Sequence, residues 1–317
     1  MANLINATAI QYTVKEQPDY FLKTIRKAKT LANDYLRVLS EVTKETRVKK
    51  MVLAGATVSQ IDDRDCAWTP KQRIVIDSKL MSVENFKIQE EQCLDDLDNL
   101  YSEMAYSSGA TKTDLPENLE GAIMVQFQDS LALDLERIIW GGAGNIVDGY
   151  QNGFVDKLLA DAASIKVAGT TINVSNVLTE IEKAYNAIPN QVLFEGEWNP
   201  EKAPVRIFVG MDIMRYLKQA LGTTATEYLV TAPNWTKEGE VVKYMGVEIV
   251  MVGLPDSTMV AGSKDNMIFL TDLMSDTQSL VGEYGKNAYD KNKFYITGKY
   301  RANADYIYGD EMVIYSV

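Results

Sequence analysis

The spacing of apolar positions divides the chain into elements. Two stretches rich in β-forming side chains, residues 48–54 and 73–83, flank a polar tip of Asp62, Asp63, Arg64, Asp65, Cys66, Ala67, Trp68, Thr69 and Pro70. Together they predict a long β-hairpin with nothing of its own to bury against. A lone two-stranded ribbon is only marginally stable in water, so an arm of this length calls for another surface, most economically a neighbouring copy of the chain. Trp68 is the natural anchor of such a contact, and the charges Asp62, Asp63, Arg64 and Asp65 would set its register.

Ahead of the hairpin, Phe21, Ile25, Ala28, Ala32, Tyr35, Leu39 and Val42 recur at spacings of four and three. That stripe predicts an amphipathic helix over residues 19–46. It is short and interrupted by alanines, which suits a helix laid on a surface better than a coiled coil; a core helix of its own domain is the alternative. The expected contact residues are Phe21, Ile25, Tyr35 and Leu39.

Beyond the hairpin, residues 87–107 predict an acidic helix carrying Glu90, Glu91, Asp95, Asp96, Asp98 and Glu103. Their spacing fits no calcium loop, so they read as a solvated face. Residues 116–140 predict the longest helix, with Pro116 in its first turn, Glu117 and Glu120 at its positive end, Arg137 near the other, and Gly141 and Gly142 as its stop. Leu119, Ile123, Phe127, Leu131, Leu135 and Ile138 form its buried stripe, and at about 37 Å it spans a domain like a spine. Because Gly141, Gly142 and Gly144 follow a helix rather than a strand and lack a phosphate-loop pattern, they imply no nucleotide site.

Residues 145–270 read as mixed α/β, with helices over 154–163, 177–187 and 212–221, a strand-like turn at 164–174, and strands over 205–209, 247–252 and 267–270. Val241 and Val242 lead into the 247–252 strand through Tyr244, Met245 and Gly246. The tail is β-rich over 278–284, 294–300 and 312–315. Its tyrosines, Tyr289, Tyr295, Tyr300, Tyr306, Tyr308 and Tyr315, lack interleaved basic residues and read as sheet packing rather than a base-stacking platform.

Composition narrows the chemistry. The 317 residues include no histidine, which removes the usual general acid/base and the commonest metal ligand, and with them most hydrolase and metalloenzyme schemes. No catalytic, cofactor or metal residue is assigned. Cys66 and Cys93 have no CxxC spacing and are too few for a disulfide framework, so both read as free thiols. No stretch reaches about 18 consecutive apolar residues, and the first residues lack a signal-peptide core, so a soluble chain made in the cytoplasm, with no membrane partner, is expected. On that reading the sequons at Asn6, Asn173 and Asn234 are chance matches.

Charge is unevenly divided. Residues 1–50 carry a net of plus five, and the remainder a net of minus 17. So acidic a body cannot hold nucleic acid tightly by neutralising phosphates, whereas the basic arm could touch it weakly or meet an acidic surface on another subunit. Lys23, Arg26, Lys27 and Lys29 are the candidate inward-facing basic residues.

The order of parts, an arm, a long hairpin, an acidic helix, a spine helix, an α/β unit and a returning β-rich tail, resembles the major capsid protein of tailed bacteriophages, a fold shared with encapsulins. The local likenesses are residues 204–222, residues 244–255 and the run NMIFLTDLMSD at 266–276. The resemblance implies an α+β phage major capsid fold with an N-terminal arm (1–47), an extended hairpin loop (48–86) overlapping the next subunit, a peripheral domain with the spine helix (87–144 and 271–317) and an axial α/β domain (145–270). It implies a structural role, as the icosahedral shell enclosing a double-stranded DNA genome, built of hexamers and pentamers of the chain. A portal protein is then an expected partner. The hairpin begins too early for a fused scaffold segment to precede the arm, so a separate scaffolding protein, or none, is expected. Some relatives cross-link subunits through a lysine and an asparagine, but no motif carries those residues over. The alternatives are an encapsulin-type nanocompartment shell and a histidine-free α/β enzyme using carboxylates or Tyr and Lys.

Overall fold

Strand β6 (Val205–Val209) is buried at every position but Arg206 because its two faces meet two different cores. Val205, Ile207 and Val209 point into one and Phe208 into the other. The structure, a computed structural model, describes residues 29–53, 74–93, 130–142, 152–194, 199, 201–222, 234–238, 241–272, 281–284 and 293–317.

The sheet around β6 has seven strands, in the order β5 (Ile165–Ala168), β14 (Val313–Ser316), β10 (Met259–Ser263), β6, β9 (Val247–Met251), β8 (Val241–Tyr244) and β7 (Trp235–Glu238). Helices α4 (Val177–Asn186) and α6 (Met211–Leu221), with the short α5 (Asn190–Leu193) between them in the chain, lie at one face. Val177, Ile181 and Ala184 from α4, and Ile213, Leu217 and Leu221 from α6, pack there against Ile207, Val209, Ile249, Met259 and Tyr315. Spacings of three and four place each set on one helical stripe.

The other face, through Phe208, Val250, Val260 and Ile314, meets a core shared with α2 (residues 130–140), α3 (Phe154–Ala160) and a second sheet. That sheet has the order β1 (Arg37–Leu39), β11 (Met267–Thr271), β13 (Lys293–Tyr306) and β12 (Val281–Tyr284), with β4 (Glu84–Cys93) also paired to β13. Strand β11 repeats the two-faced pattern of β6. Met267 and Phe269 enter the shared core, while Ile268 and Leu270 meet Val42, Met81 and Val83 in a third cluster. Each such side chain contributes about 1.5–3 kcal/mol on full burial.

Strands β2 (Glu45–Leu53) and β3 (Ile74–Ser82) form an antiparallel ribbon whose nine pairs run from Glu45 opposite Ser82 to Leu53 opposite Ile74. The expected hairpin is therefore present, and its tip lies outside the described residues. The end of the expected spine helix is present as α2, which stops where glycine allows it: Gly141 and Gly142 have φ of 64° and 96°, and the Gly141 amide donates to the Arg137 carbonyl at 2.8 Å. Residues 116–129 lie outside the described set.

Two expected helices are corrected. Within the described part of residues 19–46, only α1 (Lys29–Ala32) is helical; the chain turns at Asn33 and Asp34, where Asp34 has φ of 57°, and β1 then pairs in parallel with β11. Asn and Asp tolerate that left-handed turn, and the ladder to β11 outweighs local helical spacing. The acidic helix expected over 87–107 is a strand through Cys93. Strand β4 makes ten register pairs with β13. Phe86 and Ile88 pack on the shared core while Asn85, Lys87 and Gln89 are exposed, a period of two that the carboxylates obscured. Phe86 stacks on Tyr300 at 5.2 Å between ring centres.

The expected elements at 205–209, 212–221 and 247–252 fall on β6, α6 and β9. The tail is shared out: β12 and β13 join the smaller sheet, whereas β14 lies between β5 and β10 in the larger one. Tyr300, Tyr306 and Tyr315 are buried among these strands, as sheet packing requires.

Candidate assembly surface

The β2–β3 ribbon has a seated half and an exposed half. Strand alternation puts Thr46, Val48, Lys50 and Val52 on one face with Met81, Lys79, Asp77 and Val75. Toward the base that face is held by the body: Met81 is buried in the cluster with Val42, Val83, Ile268 and Leu270, and Val48 packs at its edge. Polar contacts fix the same end. Asn303 Nδ2 donates to the Ser82 carbonyl at 2.6 Å, and the Val83 amide to the Lys44 carbonyl at 3.0 Å. Lys79 Nζ donates to Asp305 Oδ1 at 2.8 Å and to the Tyr306 carbonyl at 2.7 Å, lying 3.8 Å from the centre of the Tyr306 ring. The ribbon thus has a surface of its own at the base, which corrects the expectation that it has none.

Further out the support thins, although the Tyr308 hydroxyl still donates to the Met51 carbonyl at 3.3 Å. Met51 and Ile76, directly opposite each other, are 62% and 68% exposed, and Val52, Val75, Ile74 and Leu80 are exposed as well. Both faces of the distal ribbon carry exposed apolar side chains, and the Lys50–Asp77 pair at 3.0 Å breaks one of them. Lys50 holds the Asp77 carboxyl below its ordinary range, but a pair this exposed adds little stability. Leu80, Ile76, Ile74 and Met51 share their face with the exposed Arg47 and Lys49. A projecting strand pair with apolar side chains on both faces suits coverage by another surface.

The arm is fastened at a buried joint. Thr30 in α1 donates its backbone amide to Glu136 Oε1 and its hydroxyl to Glu136 Oε2, the latter at 2.6 Å, while Trp140 Nε1 donates to Thr30 Oγ1 at 3.0 Å. Both helix residues come from the last turns of α2, and Trp140 is itself packed between Phe154 and Phe208. A carboxylate inside an apolar stripe is the sequence signal that could have marked this joint.

Asp305 is a second junction. Besides Lys79 it faces Lys157 of α3, whose Nζ lies 3.8 Å from Asp305 Oδ2, donates to Asn303 Oδ1 at 2.8 Å and also donates to the Ala304 carbonyl. Burial pushes the Lys157 ammonium below the ordinary lysine range, and Asp305 opposes the shift. Burial also pushes the Tyr306 hydroxyl up, helped by its 2.8 Å hydrogen bond to Asp161 Oδ2. In the larger sheet, Tyr315 donates to Glu180 Oε2 at 2.6 Å and accepts from the Thr170 amide at 2.9 Å. Burial and that carboxylate raise Tyr315 to about 12. Desolvation of Glu180 is outweighed by its bonds from Lys183, Tyr315 and Thr170, which leave its carboxyl below the ordinary range.

Of the residues singled out in the sequence, Asp62, Asp63, Arg64, Asp65 and Trp68 of the tip, Phe21 and Ile25 of the arm, and Lys23, Arg26 and Lys27 lie outside the described residues. Tyr35 and Leu39 fall after the short helix. Tyr35 meets Phe208 edge-on at 5.9 Å with the Arg206 guanidinium over its ring, and Leu39 packs beside Val42 and Met81, so both are engaged within their own chain. Lys29 is exposed at the start of α1. Among the described residues, no group of three or more Cys, Asp or Glu is placed to hold a metal ion.

No family model and no curated protein matches this chain. Solved structures do. A chain from the satellite phage P4 procapsid, a structure that includes the size determination (Sid) protein, aligns over 94% of this chain and 98% of that one, with a TM-score of 0.54 and 11% identity. The virus-like particle from Pyrococcus furiosus aligns over 95% and 98%, with a TM-score of 0.53 and 10% identity. A chain of Microbacterium phage Oxtober96 aligns over 91% and 90%, with a TM-score of 0.53 and 15% identity. Across nearly its whole length, then, this chain has the α+β fold of phage capsid chains, the fold that the order of its parts implied.

Proposed function

We propose that the chain is a structural protein that assembles with copies of itself into the icosahedral capsid of a tailed double-stranded DNA phage. The observation that carries this reading is the ribbon: its base is locked to the smaller sheet, and its distal half holds apolar side chains out on both faces. A monomer has no use for such an arm, whereas in a closed shell each copy receives one arm and extends another. Many modest contacts repeated by symmetry then hold the particle.

On this reading the smaller sheet and α2 belong to the peripheral domain, the larger sheet with α4 and α6 to the axial domain around the centres of hexamers and pentamers, and the tip residues Asp62 to Asp65 and Trp68 to the contact with the adjacent subunit. The basic arm, through Lys23, Arg26, Lys27 and Lys29, faces inward and touches packaged DNA weakly. A portal protein and a separate scaffolding protein are the further partners, and the chain resides in the virion after assembly in the host cytoplasm.

The likeness to the Pyrococcus particle supports a second reading, an encapsulin-type compartment. Size-exclusion light scattering followed by negative-stain electron microscopy tests both. Megadalton shells, or rings of five or six, are expected; a monomer that no scaffold or crowding agent assembles overturns the shell reading. Nuclease-protected DNA inside particles from the native source favours the capsid, and a packaged protein cargo favours the compartment.

A further inference from the structure

The turn between β8 and β9 is filled against its own preference. Tyr244 pairs with Val247, and both residues between them, Met245 and Gly246, have positive φ, 49° and 88°. A hairpin turn of that kind favours Asn or Asp before the Gly, because a Cβ crowds left-handed backbone and a short polar side chain recovers part of the cost locally. Methionine recovers none. The other non-glycine residues with such a φ among the described ones, Asp34, Glu41 and Ser257, are all polar. Met245 is also 55% exposed, and a side chain at Gly246 would meet nothing within 4 Å, so the turn stands clear of the body with a thioether at its tip. A local cost kept for an exposed apolar side chain points to a contact outside the chain.

The same sheet carries a socket at its other end. Met251 closes β9 opposite Val209 of β6, and with Met211 and Met214 of α6 it floors a groove rimmed by Arg215 and Lys218. The length of β9 from Val247 to Met251, about 13 Å, keeps the turn away from the methionine end of its own groove. Methionine floors adapt to the shape of what they receive. Among the described residues no carboxylate pairs with Arg215 or Lys218; Arg215 donates to the Tyr216 hydroxyl at 3.1 Å. The turn end brings the opposite charge. Glu182 is exposed on α4, and burial first and this nearby carboxylate second push the Tyr244 hydroxyl up. We propose that Met245 of one copy seats in the groove of Met211, Met214 and Met251 on the next, with Glu182 facing Arg215 and Lys218. A knob and a socket at opposite ends of one sheet make a head-to-tail contact, which closes into a ring when the rotation per copy allows it. Resting on the shell reading, this contact is the one between larger sheets around a ring of five or six.

Met245→Asn separates the contact from the fold. Asparagine suits the left-handed turn, so the unassembled subunit should melt no lower than wild type, whereas shells should be lost at the concentration at which wild type assembles. Wild-type particles grown with photo-methionine, a near-isosteric photoreactive analogue, supply the second measurement. After irradiation, species of two-subunit mass on a denaturing gel should yield adducts joining the Met245 peptide to those holding Met211, Met214 or Met251. Wild type that forms neither shells nor rings overturns the shell reading and this contact with it. Normal shells from Met245→Asn, or particles whose Met245 adducts are missing or lie on other segments, overturn the contact and leave the shell reading standing. A Met245→Asn subunit that melts lower than wild type would assign the methionine to its own fold and overturn the contact as well.

Discussion

Lys79 Nζ and Asp305 Oδ1 stand 2.8 Å apart across the seam between the ribbon and the smaller sheet, and the same aspartate faces α3 through Lys157. Three elements distant in sequence therefore share one carboxylate. Asp305→Ala leaves buried cation without its partner and should cost about 3 kcal/mol or more in denaturant unfolding. Lys79→Met removes only the better-solvated partner and should cost about 1 kcal/mol. Equal losses would show that the carboxylate does not serve both sides.

The exposed end of the ribbon should matter to assembly and not to folding. Met51→Thr with Ile76→Thr keeps β-forming side chains on a cross-strand pair and alters no core contact, so monomer stability is expected to stay within about 0.5 kcal/mol. Shell yield by light scattering should fall sharply. Normal shells from this double variant would place the subunit contact elsewhere.

The arm joint should respond to Thr30→Val. The change strips Trp140 Nε1 of its acceptor and Glu136 of a hydroxyl donor in a buried site, at a cost of about 1–3 kcal/mol. Limited proteolysis should then cut more readily between residues 29 and 40, and the Trp140 contribution to fluorescence should shift toward that of a wetter environment. An unchanged digestion pattern would mean that the arm is held by its apolar contacts alone.

Alkaline pH should unfold the larger sheet through Tyr315. An unfolded tyrosine ionises near its ordinary value of 10, whereas the folded one holds its proton to about 12. The stabilisation is fully present below pH 10 and is lost as pH rises through about 12. Tyr315→Phe, which removes the donor to Glu180, should be less stable than wild type at neutral pH by about 1.5–3 kcal/mol, with the gap closing across that window. Circular dichroism with tyrosinate absorbance reads both, and a gap constant with pH would assign the loss to packing.

The sequence was legible where local chemistry and burial agreed. The apolar run of β6, the Asp212 helix start and the glycine stop after Trp140 each carry their own signal, and each lies where it was expected. It was misleading where a distant partner decided. Strand β4 reads as an acidic helix until β13 supplies its ladder, and Tyr35, Leu39 and Val42 follow a helical spacing that a parallel pairing with β11 overrides. The Asp305 junction had no signal at all, because Lys79, Lys157 and Asn303 meet only through tertiary structure. Glu136 alone could have been flagged, as a carboxylate amid Leu135, Ile138 and Ile139.

The seat of β14 between β5 and β10 also orders events in time. Thr170, just past β5, waits for Tyr315, 145 residues later, before its amide finds the phenol oxygen. At the pace of translation that wait is roughly 7–30 s, during which one border of the larger sheet is open to any strand that passes. A ribosome-bound chain thus lacks a finished larger sheet, so the proposed shell would have no complete subunit to nucleate on until β14 has been made.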